Sequence, residues 1–342
     1  MSETQGSRPI ARSDIDADVA RGSALALGLL RTTRGAEPLL LVGRDQAETS
    51  EVLAGAVDVY RGALRQDRDR AASEDWRLET TLTAATPEPG AEFGASIAVA
   101  TGDPSIAIVG APRSDVLGHF DAGSVEVFRR DIVPRNGSAF DPRPVRPPGI
   151  STQRRPSPRG SGDARGKTAG NAAGNTDDEA IDIRWRRVAS IRSPEPQSSG
   201  WFGRSVATDG TWLAIGEPGA DVTIEGATVF SAGTVHLYRV GSSAIVPIAT
   251  LAAPTPSQSM WFGSAVAIDD GRLLVGAPGS EIPSDLPQGD EGVRAGRAFL
   301  YEIMAIVEGF SDAPIVLDPP AAEAGAGFGQ SVALTRGYAV IG

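Results

Sequence analysis

Two histidines and a serine that recurs three times are the residues of this sequence best suited to turning over a substrate. His119 lies in LGHFDAG and His236 in AGTVHLYR, while Ser96, Ser205 and Ser331 each stand in F-G-x-S. A serine nucleophile needs a base beside it and a sharp turn that exposes its hydroxyl. The G-x-S-x-G elbow supplies that turn; F-G-x-S lacks the second glycine. No histidine recurs with the serines, and neither histidine has a partner set for general-base work. His236 aligns with Asp58, Glu126 and Phe299 in like phrases, and a position accepting all four types reads as an exposed or half-exposed strand site. Scattered G-x-G pairs never precede a helical pattern, so no phosphate cradle is expected. With no cysteine, disulfides, thiol nucleophiles, zinc–thiolate sites and iron–sulfur clusters are excluded.

Carboxylates are the remaining chemistry. A hard cation needs several oxygens converging within one short loop. Asp269-Asp270-Gly271 offers two side chains that diverge, so it reads as a plain β-turn, with calcium at Asp269 and Asp270 as the weaker alternative. Asp285, Asp290 and Glu291, in EIPSDLPQGDEGVRAG (281–296), match no ion-binding spacing and read as a solvated loop. No catalytic residue and no cofactor is therefore expected, calcium aside.

The elements that must hold these residues are written repeatedly. FGASIAVATGDPSIAIVGAP begins at 93, FGRSVATDGTWLAIGEP at 202, FGSAVAIDDGRLLVGAP at 262 and FGQSVALTRGYAVIG at 328, with a worn copy, RGSALAL then LLLVGRD, from 21. Each complete copy is answered by AGAVDVYR (54), AGSVEVFR (122), AGTVHLYR (232) or AGRAFLYE (295). Looser phrases follow: WRLETTLTA (76), WRRVASIRSP (185), IVPIATLAAP (245) and PIVLDPP (314). Each repeat thus offers four short runs rich in Val, Ile, Leu and aromatics, separated by Gly, Pro, Asp and Ser, with no helical period. The first glycines are 72, 109, 60 and 66 residues apart, a unit near 60 with insertions. Four strands per unit, repeated radially, predict an all-β chain of four-stranded antiparallel propeller blades.

The phrases suit that fold. Val266 and Ile268 alternate with Ala265 and Ala267, as on a strand with unequal clearance on its two faces. RLLVGAP is continuously apolar, as when both faces are covered. The predicted structural motif is Phe93, Gly94, Gly110 and Pro112; Phe202, Gly203, Gly216 and Pro218; Phe262, Gly263, Gly276 and Pro278; and Phe328 with Gly329. Each phenylalanine gains roughly 1.5–3 kcal/mol on burial, the glycines permit close backbone approach, and the prolines end pairing. Trp76 and Trp185 open fourth strands, while Trp201 and Trp261 stand just before F-G. Matched places argue for blade-to-blade packing, with ligand contact at Trp201 or Trp261 as the alternative. Any binding surface is expected on the loops after GAP and those joining blades.

In register, FG, GAP and AGxVxVY resemble the FG-GAP repeats of the integrin α-subunit propeller, and still more the shorter variant found in many bacterial extracellular proteins. The resemblance covers roughly 21–130 and 181–342. It implies a seven-bladed ring, of which about four and a half blades are present, extracellular or cell-surface placement, and a noncatalytic recognition or adhesion role toward a protein or polysaccharide. Two alternatives are a propeller appended to an enzyme whose catalytic domain lies outside this chain, and a calcium-stabilised structural surface protein.

The net charge of −11 disfavours nucleic acid or anionic membranes as partners, and no run approaches the ~18 apolar residues of a membrane span. SALALGLL (23–30) reads as a strand rather than a signal core. Residues 1–20 read as the tail of a preceding blade, 21–130 as blades 1 and 2, 131–180 as a disordered insertion, and 181–342 as the rest of blade 2, blades 3 and 4 and a truncated blade 5. The insertion is Pro-, Gly- and Arg-rich, with eight basic and three acidic residues over 131–176. It reads as a tolerated surface extension, with a polyanion-binding arm as the competing function. A shorter insertion is expected at 61–75. Because 328–342 supplies only two strands of a blade, an exposed, aggregation-prone edge is expected there.

Overall fold

The computed structural model describes residues 23–32, 35–49, 52–63, 75–100, 105–134, 181–282, 293–309, 313–321 and 323–342. It is almost entirely β and antiparallel. Residues 1–131 and 185–342 form one compact unit; 132–184 form another, described only at the ends of two strands.

Blade 1 contains β1 (Ala24–Thr32), β2 (Gly35–Arg44), a hairpin of β3 (Glu48–Thr49) and β4 (Val52–Leu53), β5 (Ala56–Ala63) and β6 (Asp75–Leu82). Blade 2 contains β7 (Ser96–Ala100), β8 (Ile106–Ala111), β9 (Ser124–Pro134) and β10 (Ile181–Arg192). Blade 3 contains β11 (Ser205–Thr208), β12 (Trp212–Glu217), the hairpin β13 (Val222–Ile224) and β14 (Ala227–Val229), β15 (Thr234–Val240) and β16 (Ile245–Leu251). Blade 4 contains β17 (Ala265–Asp269), β18 (Arg272–Ala277), the hairpin β19 (Glu281–Ile282) and β20 (Val293–Arg294), β21 (Arg297–Glu302), helix α1 (Ile303–Glu308) and β22 (Ile315–Leu317). β23 (Val332–Thr335) and β24 (Tyr338–Ile341) pair as a fifth, two-stranded sheet.

Each blade is a meander, ordered β1-β2-β5-β6, β7-β8-β9-β10, β11-β12-β15-β16 and β17-β18-β21-β22. The first strands β1, β7, β11, β17 and β23 are neighbours in turn, which gives the radial arrangement of a β-propeller.

The core is laid down between blades rather than within them. Leu39, Leu41, Val57 and Val59 of blade 1 pack on Phe93, Ala107, Val109 and Phe128 of blade 2. On the other face of β8, Ile106 and Ile108 join Leu213, Ile215 and Phe202 of blade 3. β12 repeats the division, with Leu213 and Ile215 on one side and Trp212 and Ala214 packed with Phe262, Leu273 and Val275 on the other. This is why the second strands are apolar along nearly their whole length: alternate side chains serve different neighbouring blades. Phe93, Phe202 and Phe262 are fully buried. Phe328 is only half-buried, and Tyr338 and Val340 are exposed at 74% and 64%, so the 328–342 sheet presents an uncovered apolar surface.

Three expectations need correction or a boundary. The helix α1 was not legible, because its six residues are shorter than two turns of any period. It forms where Gly309 provides a left-handed C-terminal cap and where Ile303 and Ile306 can pack on the blade 3/4 core. β9 runs to Pro134, past the start of the expected insertion. The expectations for residues 1–20, for disorder over 135–180, for most of the 61–75 insertion, and for Asp285, Asp290 and Glu291 lie outside the described residues.

Candidate binding face

The repeated glycines and phenylalanines meet at the blade joints. The Phe93, Phe202, Phe262 and Phe328 amides donate to the carbonyls of Ala54, Ala122, Ala232 and Ala295 in the preceding blade, at 2.9–3.0 Å. The glycine closing each second strand lies under the F-G glycine of the next blade. A Cβ on Gly43, Gly110, Gly216 or Gly276 would come within 3.0 Å of the carbonyl oxygen of Gly94, Gly203, Gly263 or Gly329 respectively. Pro112, Pro218 and Pro278 follow directly on the last paired residue of their strands. The F-G-x-S serines serve the same joints: Ser96 Oγ donates to Gly203 O at 2.7 Å and Ser205 Oγ to Gly263 O at 2.8 Å.

His236 is not an exposed strand site; it is 4% exposed, and Asp58, Glu126 and Phe299 at the same register are also buried. Sequence alignment missed this because each blade satisfies the position differently. His236 Nε2 contacts Glu217 Oε2 at 2.7 Å, and Nδ1 contacts Thr250 Oγ1 at 3.0 Å. Ser193 Oγ also donates to Glu217 Oε2, at 2.9 Å. Thr250–His236–Glu217 has the connectivity of a hydroxyl–imidazole–carboxylate relay, yet blade 1 carries the same cross-strand chain without a base. There Thr81 donates to Asp58 at 2.6 Å, and Asp58 pairs with Arg44 at 2.8 Å. Blade 4 has the apolar version, with Phe299 facing Val316 across strands and Ala277 at the place of Glu217 and Arg44. The signal for this ladder was GEP and GRD standing where sister repeats read GAP. Burial and then the Glu217 charge push the Tyr238 phenol up to about 12. His236→Phe should lower stability by about 2 kcal/mol in urea unfolding, because Glu217 loses its main partner while buried. Glu217→Ala added to it reproduces the blade 4 pattern and should recover most of the loss.

Because the blades meander, loops between second and third strands and loops joining blades share one face. Loops between first and second strands, and between third and fourth, share the opposite one. Asp269-Asp270-Gly271 is on that opposite face, as a two-residue turn with φ 51° at Asp270 and 75° at Gly271. Among the described residues, no group of three or more His, Asp or Glu is placed to share a metal ion.

The joint-loop face carries exposed aromatics. Phe120 and Phe230, two residues before their A-G, are exposed at 71% and 57%, and Trp261 at 42%. Trp201 is half-exposed, and neither Trp201 nor Trp261 belongs to a buried cluster, which corrects the expectation of blade-to-blade packing for these two. Trp185 does pack between blades, and its Nε1 donates to Glu79 Oε1 at 2.7 Å. The Phe carbonyls are tied across the joints, Ser199 N to Phe120 O at 2.8 Å and Ser259 N to Phe230 O at 2.9 Å. Phe120 and Phe230 were not singled out from sequence, although F-x-A-G recurs. Beside them a cleft of about 740 Å³ is lined by His119, Glu195, Gln197, Asp221, Thr223 and Thr250 among others. Gln197 and the Asp221 backbone exchange two hydrogen bonds, and Asp221 Oδ1 accepts from Ser231 N at 2.8 Å, which fixes the cleft wall.

Residues 185–238, spanning the blade 2/3 joint, match the family model of the FG-GAP repeat. The chain carries an FG-GAP repeat within a β-propeller arrangement of blades. No curated protein matches it. The match runs from β10 to β15, so it covers Gly203, Phe202 and the Trp201 loop of the blade 2/3 joint together with Gly216, which enters the next joint. No helix among its described residues is long and apolar enough to cross a membrane.

Proposed function

We propose that this FG-GAP propeller is a noncatalytic recognition or adhesion module, extracellular or at the cell surface, that engages a protein or polysaccharide through its joint-loop face. The observation that carries this reading is the exposure of Phe120, Phe230 and Trp261 on loops of one face, outside the interblade packing that buries Phe93, Phe202 and Phe262. Scaffold roles account for Ser96, Ser205 and His236. Ser96 and Ser205 are spent on joints, and His236 sits in a cross-strand ladder that blade 1 builds without a histidine. Extracellular placement rests on the repeat type, which is typical of extracellular proteins.

The purified chain should bind saturably to isolated cell-surface or matrix material and release no soluble product. Substituting Phe120 and Phe230 together by Ser should weaken that binding at least tenfold. Product release that disappears in His236→Ala would overturn the noncatalytic reading; binding untouched by the double substitution would overturn the assignment of the face.

A further inference from the structure

We infer that the joint-loop face takes an uncharged polysaccharide, whose sugar rings stack on Trp201 and Trp261 at successive blade joints. This rests on the recognition reading above and names its ligand class.

The residue before each F-G adopts a left-handed backbone: φ is 58° at Glu92, 57° at Trp201, 54° at Trp261 and 68° at Gly327. Glycine takes this conformation freely, and a bulky L-residue is disfavoured there by roughly 1–2 kcal/mol. The fold therefore asks for glycine, and the fifth sheet has it. Blades 3 and 4 instead place tryptophan in the strained position and leave it outside the core, Trp261 at 42% exposure. An indole that belongs to no core cluster and does not suit its backbone is explained by contact with something outside the chain. The repetition one blade apart gives two platforms, with Phe120 and Phe230 on the loops facing them across each joint. Hydrogen bonds from Ser199 and Ser259 fix those loops in advance, so little ordering cost remains for binding.

The chemistry of the same face selects the ligand. The cleft at the blade 2/3 joint offers the exposed Glu195, the hydroxyl side chains of Thr223 and Thr250, and His119, groups that exchange hydrogen bonds with sugar hydroxyls. Glu195, Asp221, Asp121 and Asp115 outnumber the exposed Arg113 and Arg204 on the loops of this joint and make this part of the face acidic. Sulfated or uronic polymers are repelled by such a surface, whereas neutral glycans stack on aromatic rings and bond to carboxylates. A protein partner is the competing class. It is disfavoured because the aromatics are separated onto successive joints rather than gathered into one apolar centre.

The test is affinity electrophoresis and calorimetry of the full chain against soluble neutral polysaccharides (a β-1,3-glucan, a mixed-linkage glucan, a galactomannan and a xylan) and against alginate and heparin. At least one neutral polymer should retard the wild type, with alginate and heparin at least tenfold weaker. Trp261→Gly should weaken binding about tenfold, and Trp201→Gly with Trp261→Gly about a hundredfold. Because glycine suits φ near 55°, both variants should melt at or above the wild-type temperature, so lost binding is not lost folding. Absence of binding to every neutral polymer, preference for the polyanions, or retention of affinity in the double variant would each overturn the inference. If the chain binds cell-surface material through Phe120 and Phe230 but no neutral polymer, the recognition reading survives and this inference does not.

Discussion

Replacing Gly216 by alanine is expected to lower the unfolding free energy by about 3 kcal/mol, the upper end of what overpacking a core costs. Gly216 is the penultimate residue of β12, and its Cα lies under the carbonyl of Gly263 in the next blade; an added Cβ would come within 3.0 Å of that oxygen and of the Ser205 hydroxyl. The Ser205 hydroxyl is a side-chain end, but the Gly263 carbonyl is backbone and cannot swing aside. The Gly263 carbonyl is held by the Ser205 hydroxyl, and the Gly263 amide donates back to Gly276 O at 3.0 Å, so relief requires the blades to separate. Separation exposes the layer containing Phe262, Leu273 and Val275. Gly226 is the control. Its φ is +84° but a Cβ there meets nothing within 4 Å, so Gly226→Ala should cost only about 1 kcal/mol of conformational strain. Urea unfolding followed by tryptophan fluorescence distinguishes the two. Equal losses would show that the close Gly–Gly approach does not hold the blades together.

Glu79→Ala should cost about 3–5 kcal/mol, the range for breaking a buried ion pair from one side. Glu79 lies on β6 at the outer edge of blade 1 and receives both Arg130 Nε and Nη2, each at 2.9 Å, with the two side chains 7% and 6% exposed. The same carboxylate accepts Trp185 Nε1, so one side chain joins β6 to both β9 and β10. Arg187, on the same outer strand, adds a pair to Glu126 at 2.6 Å and lies over the Phe128 ring. β10 pairs with β9 although residues 135–180 intervene in sequence, and these non-local contacts fix its register. Removing Glu79 leaves a guanidinium and an indole N–H buried and unpaired. Glu79→Leu combined with Arg130→Met removes both charges at once and should recover most of the stability. A loss under 1 kcal/mol for the single variant, measured by urea unfolding, would mean that this clasp does not hold β10.

Much of the architecture was legible because it is written several times. Repetition of FG, GAP and AGxVxVY gave strand number, strand order and the positions of the close approaches, since a joint built from two glycines and one phenylalanine leaves the same trace wherever it recurs. The continuous apolar run of RLLVGAP announced coverage on both faces. The helix α1 was not legible, because it occurs once and its stability comes from the blade 3/4 core it meets rather than from its own six residues.

The ladder through His236 marks the boundary between the two kinds of information. Sequence alignment showed Asp58, Glu126, His236 and Phe299 at one position and read variety as exposure. The fold shows burial, with partners supplied from Arg44, Arg187 and Glu217 on neighbouring strands, so variety there means alternative ways of satisfying one buried site. The binding face followed the same division. The sequence alone determined the propeller and its joints, because these depend on local pattern. Only the tertiary structure decided that Trp201 and Trp261 stand outside the core while Trp185 lies within it, because exposure is set by which neighbouring blade a side chain meets, and no single repeat contains its neighbour.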